Sequence, residues 1–200
     1  MIHSLFACPL LIENLKIKNT PLKIYIQGLA KKSKGREISN EGGWQSNNIP
    51  FMDDMKIFGP LCKEIIFNSQ RYIVETSLNN DKKYGITNMW ANVNKYKDSN
   101  IIHCHPFSVI SGVYYVKVPE NSGGIEFVHP EQAIGSYYVH NYYEKLTPIN
   151  SATWMVNPKE GDLLLFPSFL RHRVTKHLNK KEDRITLAFN IADYKLKWIE

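Results

Sequence analysis

Ile101-Ile102-His103-Cys104-His105-Pro106 runs on into a strand-like segment, Val109-Ile110-Ser111-Gly112-Val113-Tyr114-Tyr115-Val116. Far downstream it is answered by Leu163-Leu164-Leu165-Phe166-Pro167-Ser168-Phe169-Leu170-Arg171-His172-Arg173-Val174, and then by Arg184-Ile185-Thr186. Side chains on extended backbone alternate faces, so His103 and His105 point to the same side. A third imidazole, His172, arriving from a distant strand can close a three-ligand face and leave the other positions of a metal open. Such a set suits non-haem iron working with oxygen. A lone histidine is more often packed or exposed than a ligand, and His3, His129, His140 and His177 are read that way. The joint spacing reverses that reading for His103, His105 and His172.

Two hundred residues suffice for one domain with a substantial core. The expected organisation is a single domain over 1–200, with a strand and helical buttress in 1–80 and a β core over 84–193. No run of about 18 apolar residues occurs, so no membrane span is expected. The N-terminal residues lack a basic segment followed by a long apolar one, which argues against a signal peptide. Three cysteines form a sparse, odd set that argues against a disulfide framework and for a cytoplasmic location. The formal charge of +6 raises the question of nucleic acid. The lysines are scattered, however, with only short clusters at Lys31-Lys32-Ser33-Lys34 and Lys180-Lys181. A solvated basic surface is therefore expected in place of a nucleic-acid site.

Residues 4–17 read as a strand on the domain edge. Thr20-Pro21 supplies an N-cap and first-turn proline, with Leu22, Ile26 and Leu29 at helical spacing and Gly35 as the stop. Glu37 to Asp53 reads as a loop. A second helix is expected from near Pro60, with Leu61, Ile65, Tyr72 and Ile73 inward and Asn79-Asn80-Asp81 at its end. From Tyr84 onward short strands take over, at 86–95, 108–118, 123–128, 136–142, 152–156, 162–167, 169–176 and 184–193. That pattern fits a mainly β sandwich or jelly roll.

These ordered motifs resemble the iron(II)- and 2-oxoglutarate-dependent oxygenases. They are most similar to a small bacterial and phage branch with an H-x-H-P…S-G-V-Y-Y core and a G-D-L-L-L-F-P-S-x-x-x-H-x-V tail. The resemblance begins at Ser39-Asn40-Glu41-Gly42-Gly43-Trp44-Gln45-Ser46 and includes Trp90-Ala91-Asn92. It implies a double-stranded β-helix, cupin-like in fold, with N-terminal helices packed on one sheet. It further implies iron(II) held by His103, His105 and His172, with 2-oxoglutarate as co-substrate. One oxygen atom would enter the oxidative decarboxylation of 2-oxoglutarate to succinate and carbon dioxide, and the other would enter the substrate. The family at large has a carboxylate where His105 stands, so this site is one unit more positive. By the same resemblance Arg184 anchors the distal carboxylate of 2-oxoglutarate, a task suited to a planar fork, and Tyr115 assists it.

Other residues carry weaker signals. Ser111 and Asn190 are candidates for polar pocket positions. Trp90, Asn92 and Asn94 share a strand face before the histidine pair and could line a substrate channel. Glu126 is the rival carboxylate ligand, although a solvent-facing strand glutamate is the simpler reading. Cys104, between two ligands, is expected to point away from the metal into the core. The substrate is left open among a small molecule, a peptide side chain and a nucleotide, and a dimer is left open too. Two rival functions stand beside the oxygenase: a three-histidine dioxygenase without 2-oxoglutarate, and a cupin-like binding protein without turnover, since one fold hosts many functions.

Overall fold

The computed structural model describes residues 7–131 and 143–194. Its elements are β1 (Leu11–Asn14), α1 (Thr20–Lys32), β2 (Asn40–Glu41), β3 (Trp44–Gln45), α2 (Met55–Glu75), β4 (Tyr84–Asn94), β5 (Ser99–His103) and β6 (Ile110–Lys117). They continue with β7 (Ile125–Val128), β8 (Thr153–Val156), β9 (Asp162–Pro167), β10 (His172–Val174) and β11 (Arg184–Asp193). One six-stranded sheet has the order β1-β9-β6-β11-β4-β3, and a five-stranded sheet has the order β2-β5-β10-β7-β8. All recorded strand pairs are antiparallel. From β4 to β11 the chain passes between the sheets in the jelly-roll sequence, which makes the core a double-stranded β-helix.

Period-two alternation sorts the large sheet into two faces. Met89, Ala91 and Val93 of β4, Ile185, Leu187, Phe189 and Ile191 of β11, and Leu163 and Leu165 of β9 face the helices. There they pack with Leu22 and Ile26 of α1 and Phe58, Leu61, Ile65, Tyr72 and Ile73 of α2. The opposite face meets the small sheet. Tyr115, Leu164 and Phe166 pack there with Ile125, Phe127 and Leu170.

Several boundaries differ from the sequence reading. Helix α1 begins at Thr20 itself, with Asn19 before it, and ends at Lys32; the expected stop, Gly35, turns the chain at φ 75° beyond it. Helix α2 begins at Met55, so Pro60 lies inside it. A proline there forfeits one backbone hydrogen bond, but the burial of Phe58 and Leu61 on either side holds the turn. The helix stops at Glu75, short of Asn79, with Thr76 N–H donating to Tyr72 O at 3.0 Å and Ser77 N–H to Val74 O at 3.2 Å. The expected loop 37–53 contains β2, β3 and a 3₁₀ turn at Phe51–Asp54. Gly42 and Gly43, at φ 67° and 66°, turn the chain between β2 in one sheet and β3 in the other. Strand β5 was expected only as extended backbone around the histidines. The expected strand 136–142 lies outside the described residues. The expected 169–176 shrinks to β10, and residues 162–167 and 184–193 match β9 and β11.

Gly112 shows how tightly neighbouring strands of the large sheet pack their side chains on its core-facing side. A Cβ there would sit 2.3 Å from Phe189 Cζ and 2.8 Å from Leu165 Cδ2. Gly28, inside α1, has nothing within 4 Å of its would-be Cβ. Gly112→Ala should therefore destabilise the protein by about 1–3 kcal/mol through overpacking. Gly28→Ala should stabilise it by roughly 0.5–1 kcal/mol through helix propensity. Chemical denaturation of both variants checks the pair, and equal effects would contradict this packing.

Candidate metal centre and active site

His103 ends β5, and His172 begins β10 directly opposite it in the antiparallel register. Paired positions in such a ladder bring side chains within contact range, and the two rings lie 4.4 Å apart. His105 follows past the end of β5, fixed by its N–H donating to Ser168 O at 2.9 Å. Its Nε2 comes within 3.3 Å of His172 Nε2. One ligand atom from each of the three histidines can be chosen so that all lie within 4.8 Å of one another.

The tautomers follow from the backbone. His103 Nδ1 faces Ile101 O at 2.8 Å, and His172 Nδ1 faces Leu170 O at 2.9 Å. A proton on each Nδ1 satisfies those carbonyls and leaves Nε2 with its lone pair turned into the cavity. Burial keeps the rings neutral. Desolvation lowers His103, and it lowers His105 to about 4 with help from His103. Desolvation lowers His172 to about 3, with His103 and His105 adding to the effect against the Leu170 carbonyl. Neutral, converging imidazoles are the form that a divalent metal requires.

Behind this triad lies a cavity of about 480 Å³ between the two sheets. Arg184 lines it from the first position of β11 and is 1% exposed. Its Nη1 donates to Ser122 O at 2.7 Å, while Nη2 is buried with no partner. Desolvation lowers its pKa against the fields of Tyr115 and Asp98; a guanidinium starts so high that it stays charged. Tyr115 lines the same cavity, and burial raises its pKa, so its hydroxyl keeps its proton.

The remaining candidates sort by face. Trp90, Asn92 and Asn94 all line the cavity, Asn92 donating to Thr186 Oγ1 at 3.4 Å. Asn190 also lines it, whereas Ser111 stands behind, donating to Asn190 Oδ1 at 2.8 Å. Glu126 faces the other way. It pairs across the ladder with Arg173, whose Nε donates to its carboxylate, while Phe127 beside it pairs with His172. Cys104 is exposed, a correction to its expected core position, because the chain has left β5 by that point. His129 is held at Glu131, His177 is fully buried on Glu182 O, and His3 and His140 lie outside the described residues. The sequence reading missed Arg36, Asn48 and Asn88, which also line the cavity. Extending the alternation of Trp90, Asn92 and Asn94 back by two would have found Asn88; Arg36 gave no such signal.

A protein-family profile described as "Putative 2OG-Fe(II) oxygenase" matches residues 88–190, about half of the chain. This chain belongs to that family. The oxygenase is thus an enzyme that uses iron(II) and 2-oxoglutarate. Its fold is shared by HygX from Streptomyces hygroscopicus, solved with nickel and 2-oxoglutarate, at 9% identity and TM-score 0.60 over 93% of this chain and 83% of that one. It is shared as well by the viral collagen prolyl hydroxylase of Paramecium Bursaria Chlorella virus-1, at 13% identity and TM-score 0.57 over 91% and 94%. A Trichoplax adhaerens prolyl hydroxylase, solved with a hypoxia-inducible-factor peptide, aligns at 15% identity and TM-score 0.59 over 93% and 84%. Among curated proteins, none matches the sequence.

The oxygenase's own residues fit the group its family requires. Three neutral nitrogen donors suit iron(II), and a buried guanidinium with an unsatisfied N–H suits a carboxylate. No helix among the described residues is long and apolar enough to cross a membrane.

The lowered histidines carry a stability consequence. Each is neutral when folded and protonated when unfolded between its lowered value and 6.5. The unfolded chain binds more protons in that window, so the metal-free enzyme should lose stability as pH falls from about 6.5 toward 4. Chemical denaturation of the metal-free enzyme at pH 7 and pH 5 should show a loss of at least about 1 kcal/mol, since one fully shifted group contributes about 1.4 kcal/mol per pH unit. A flat profile would contradict the buried neutral triad.

Proposed function

We propose that His103, His105 and His172 hold iron(II), and that the enzyme hydroxylates a C–H bond of a small molecule or a peptide side chain. The observation that carries the co-substrate role of the site is Arg184. It is a buried guanidinium in the same cavity as the triad, bonded on one side to a backbone carbonyl and unsatisfied at Nη2. A buried unpaired charge is expensive, and the carboxylate of a bound acid relieves it. The bound iron supplies the activation of oxygen. In the overall reaction substrate C–H, oxygen and 2-oxoglutarate yield substrate C–OH, succinate and carbon dioxide.

The chain's residues divide the remaining work. Arg184 and the Tyr115 hydroxyl orient the distal carboxylate of 2-oxoglutarate, and Asn92 lies on the adjoining wall. Ser111 orients the amide of Asn190 from behind. Phe127 and Phe166, packed against His172, hold its ring and exclude water from that side. The cavity lies within the roughly 300–1,000 Å³ usual for small-ligand sites. HygX solved with hygromycin B and the Trichoplax enzyme solved with its peptide support this reading, since the fold accommodates both a small molecule and a peptide. A cytoplasmic setting fits the three free cysteines.

Two variants test the assignments. His172→Ala should abolish stoichiometric iron binding while the fold survives; full occupancy in that variant would overturn the ligand set. Arg184→Ala should weaken 2-oxoglutarate by roughly one to two orders of magnitude, because a charged hydrogen bond contributes about 1.5–3 kcal/mol. Arg184→Lys should recover part of this, keeping charge without the fork. Anaerobic titration of the iron-loaded protein with 2-oxoglutarate, followed by its absorption band and then by succinate release in air, reads the outcome. No band with the wild-type protein would remove 2-oxoglutarate from the reaction.

A further inference from the structure

The cavity walls carry one sign of charge. Arg184 and Arg36 line it, and no aspartate or glutamate does so among the described residues. With three neutral imidazoles in place of two and a carboxylate, the formal count does not close. Iron(II) contributes two positive charges and Arg184 one, while 2-oxoglutarate returns two negative ones. Among the lining groups one positive charge remains, where a carboxylate ligand would have left none, and Arg36 adds another; the Asp98 carboxylate acts on Arg184 but does not line the cavity.

Arg36 is placed deliberately by its backbone. Its N–H donates to Gln45 O at 2.8 Å, Trp44 Nε1 donates to Ser33 O at 3.0 Å, and Gly35 N–H donates to Ser33 Oγ at 3.0 Å. Gly35 turns at φ 75°, where a Cβ would lie 2.6 Å from the Trp44 ring and 2.7 Å from Gln45 O. The turn is thus pinned to β3 and sets an arginine at the cavity mouth. That arginine enters none of the ion pairs of the described residues. In the same cavity, Asn88 presents a buried side-chain oxygen that has no partner. Asn88 stands opposite Asn190 in the β4–β11 register, on the cavity face that also carries Trp90. A buried acceptor left unsatisfied destabilises the free enzyme, and a ligand N–H or O–H would satisfy it.

We propose that the primary substrate is an anion carrying an N–H or O–H donor, its negative group held by Arg36 and its donor by the Asn88 side-chain oxygen. This rests on the iron and 2-oxoglutarate reading of the same cavity and adds the substrate class. Two carboxylate-binding arginines then serve different molecules: the deep Arg184 takes the co-substrate, and the outer Arg36 takes the substrate.

The probes are N-acetylglycinate and its neutral analogue N-acetylglycinamide, both of which keep the N–H donor. Each is titrated by ligand-detected NMR against the full chain loaded with zinc and saturated with 2-oxoglutarate, which prevents turnover and fills the Arg184 site. The wild-type protein should bind the anion at least about fivefold more tightly than the amide, the scale of a partly exposed charge pair. Arg36→Gln should remove most of that preference, Arg36→Lys should restore part of it, and 2-oxoglutarate should still bind both variants. Asn88→Leu should weaken both probes alike. Equal binding of the two probes, a preference that survives Arg36→Gln, or no binding of either at 20 mM would overturn the proposal. Failure of 2-oxoglutarate to bind shows earlier and separately, in the anaerobic titration of the wild-type protein.

Discussion

The structure depends on the alternation of β11 between its two neighbours. Its odd-numbered side chains, Ile185 to Ile191, enter the helix-covered core, and its even-numbered ones, Arg184, Thr186, Ala188 and Asn190, face the cavity. A strand with one apolar and one polar face usually sets the polar face in solvent. Here the polar face is interior. The helices take the apolar side, the second sheet closes over the polar side, and β4 repeats the arrangement with Asn88, Trp90, Asn92 and Asn94. An aqueous-looking strand face thereby becomes the wall of a reaction chamber.

That chamber is kept electrostatically unfinished. Outside it, some charges are matched: Lys117 meets Glu182 at 2.7 Å, and Arg173 meets Glu126. Within it, Arg184 makes one hydrogen bond, to a backbone carbonyl, and leaves Nη2 unsatisfied, while three imidazoles crowd their nitrogens together. Such groups destabilise the ligand-free protein. The two hydrophobic layers offset this strain, and ligands that complete the site relieve it, so binding and stability are linked through the same atoms.

Much of this was legible in the residues. The H-x-H pair and the distal histidine meet because β5 and β10 are register partners, and Arg184 opens the last strand as its position implied. Tyr115, named by the resemblance, does line the cavity, while its neighbour Tyr114 faces the helical layer and donates to Asn19 Oδ1 at 2.6 Å. Three features were not legible. The start of α2 hid behind Pro60, because tertiary burial of Phe58 overrides the local preference of proline. Strands β2 and β3 are two residues each, too short for a periodicity. Arg36 reaches the mouth through a turn fixed by Trp44 and Gln45, contacts that no local pattern encodes.

Arg184 has one more consequence, and it concerns how the chain finds its fold. A one-residue slip of β11 against β4 and β6 would exchange every inward and outward side chain. The guanidinium would then enter the hydrocarbon layer beneath the helices, and Ile185 and Leu187 would enter the polar cavity. Desolvating a charge among apolar side chains with no acceptor nearby is costly enough to reject that pairing. The residue that waits for an acid in the finished enzyme is also the tooth that lets the central strand mesh in only one register.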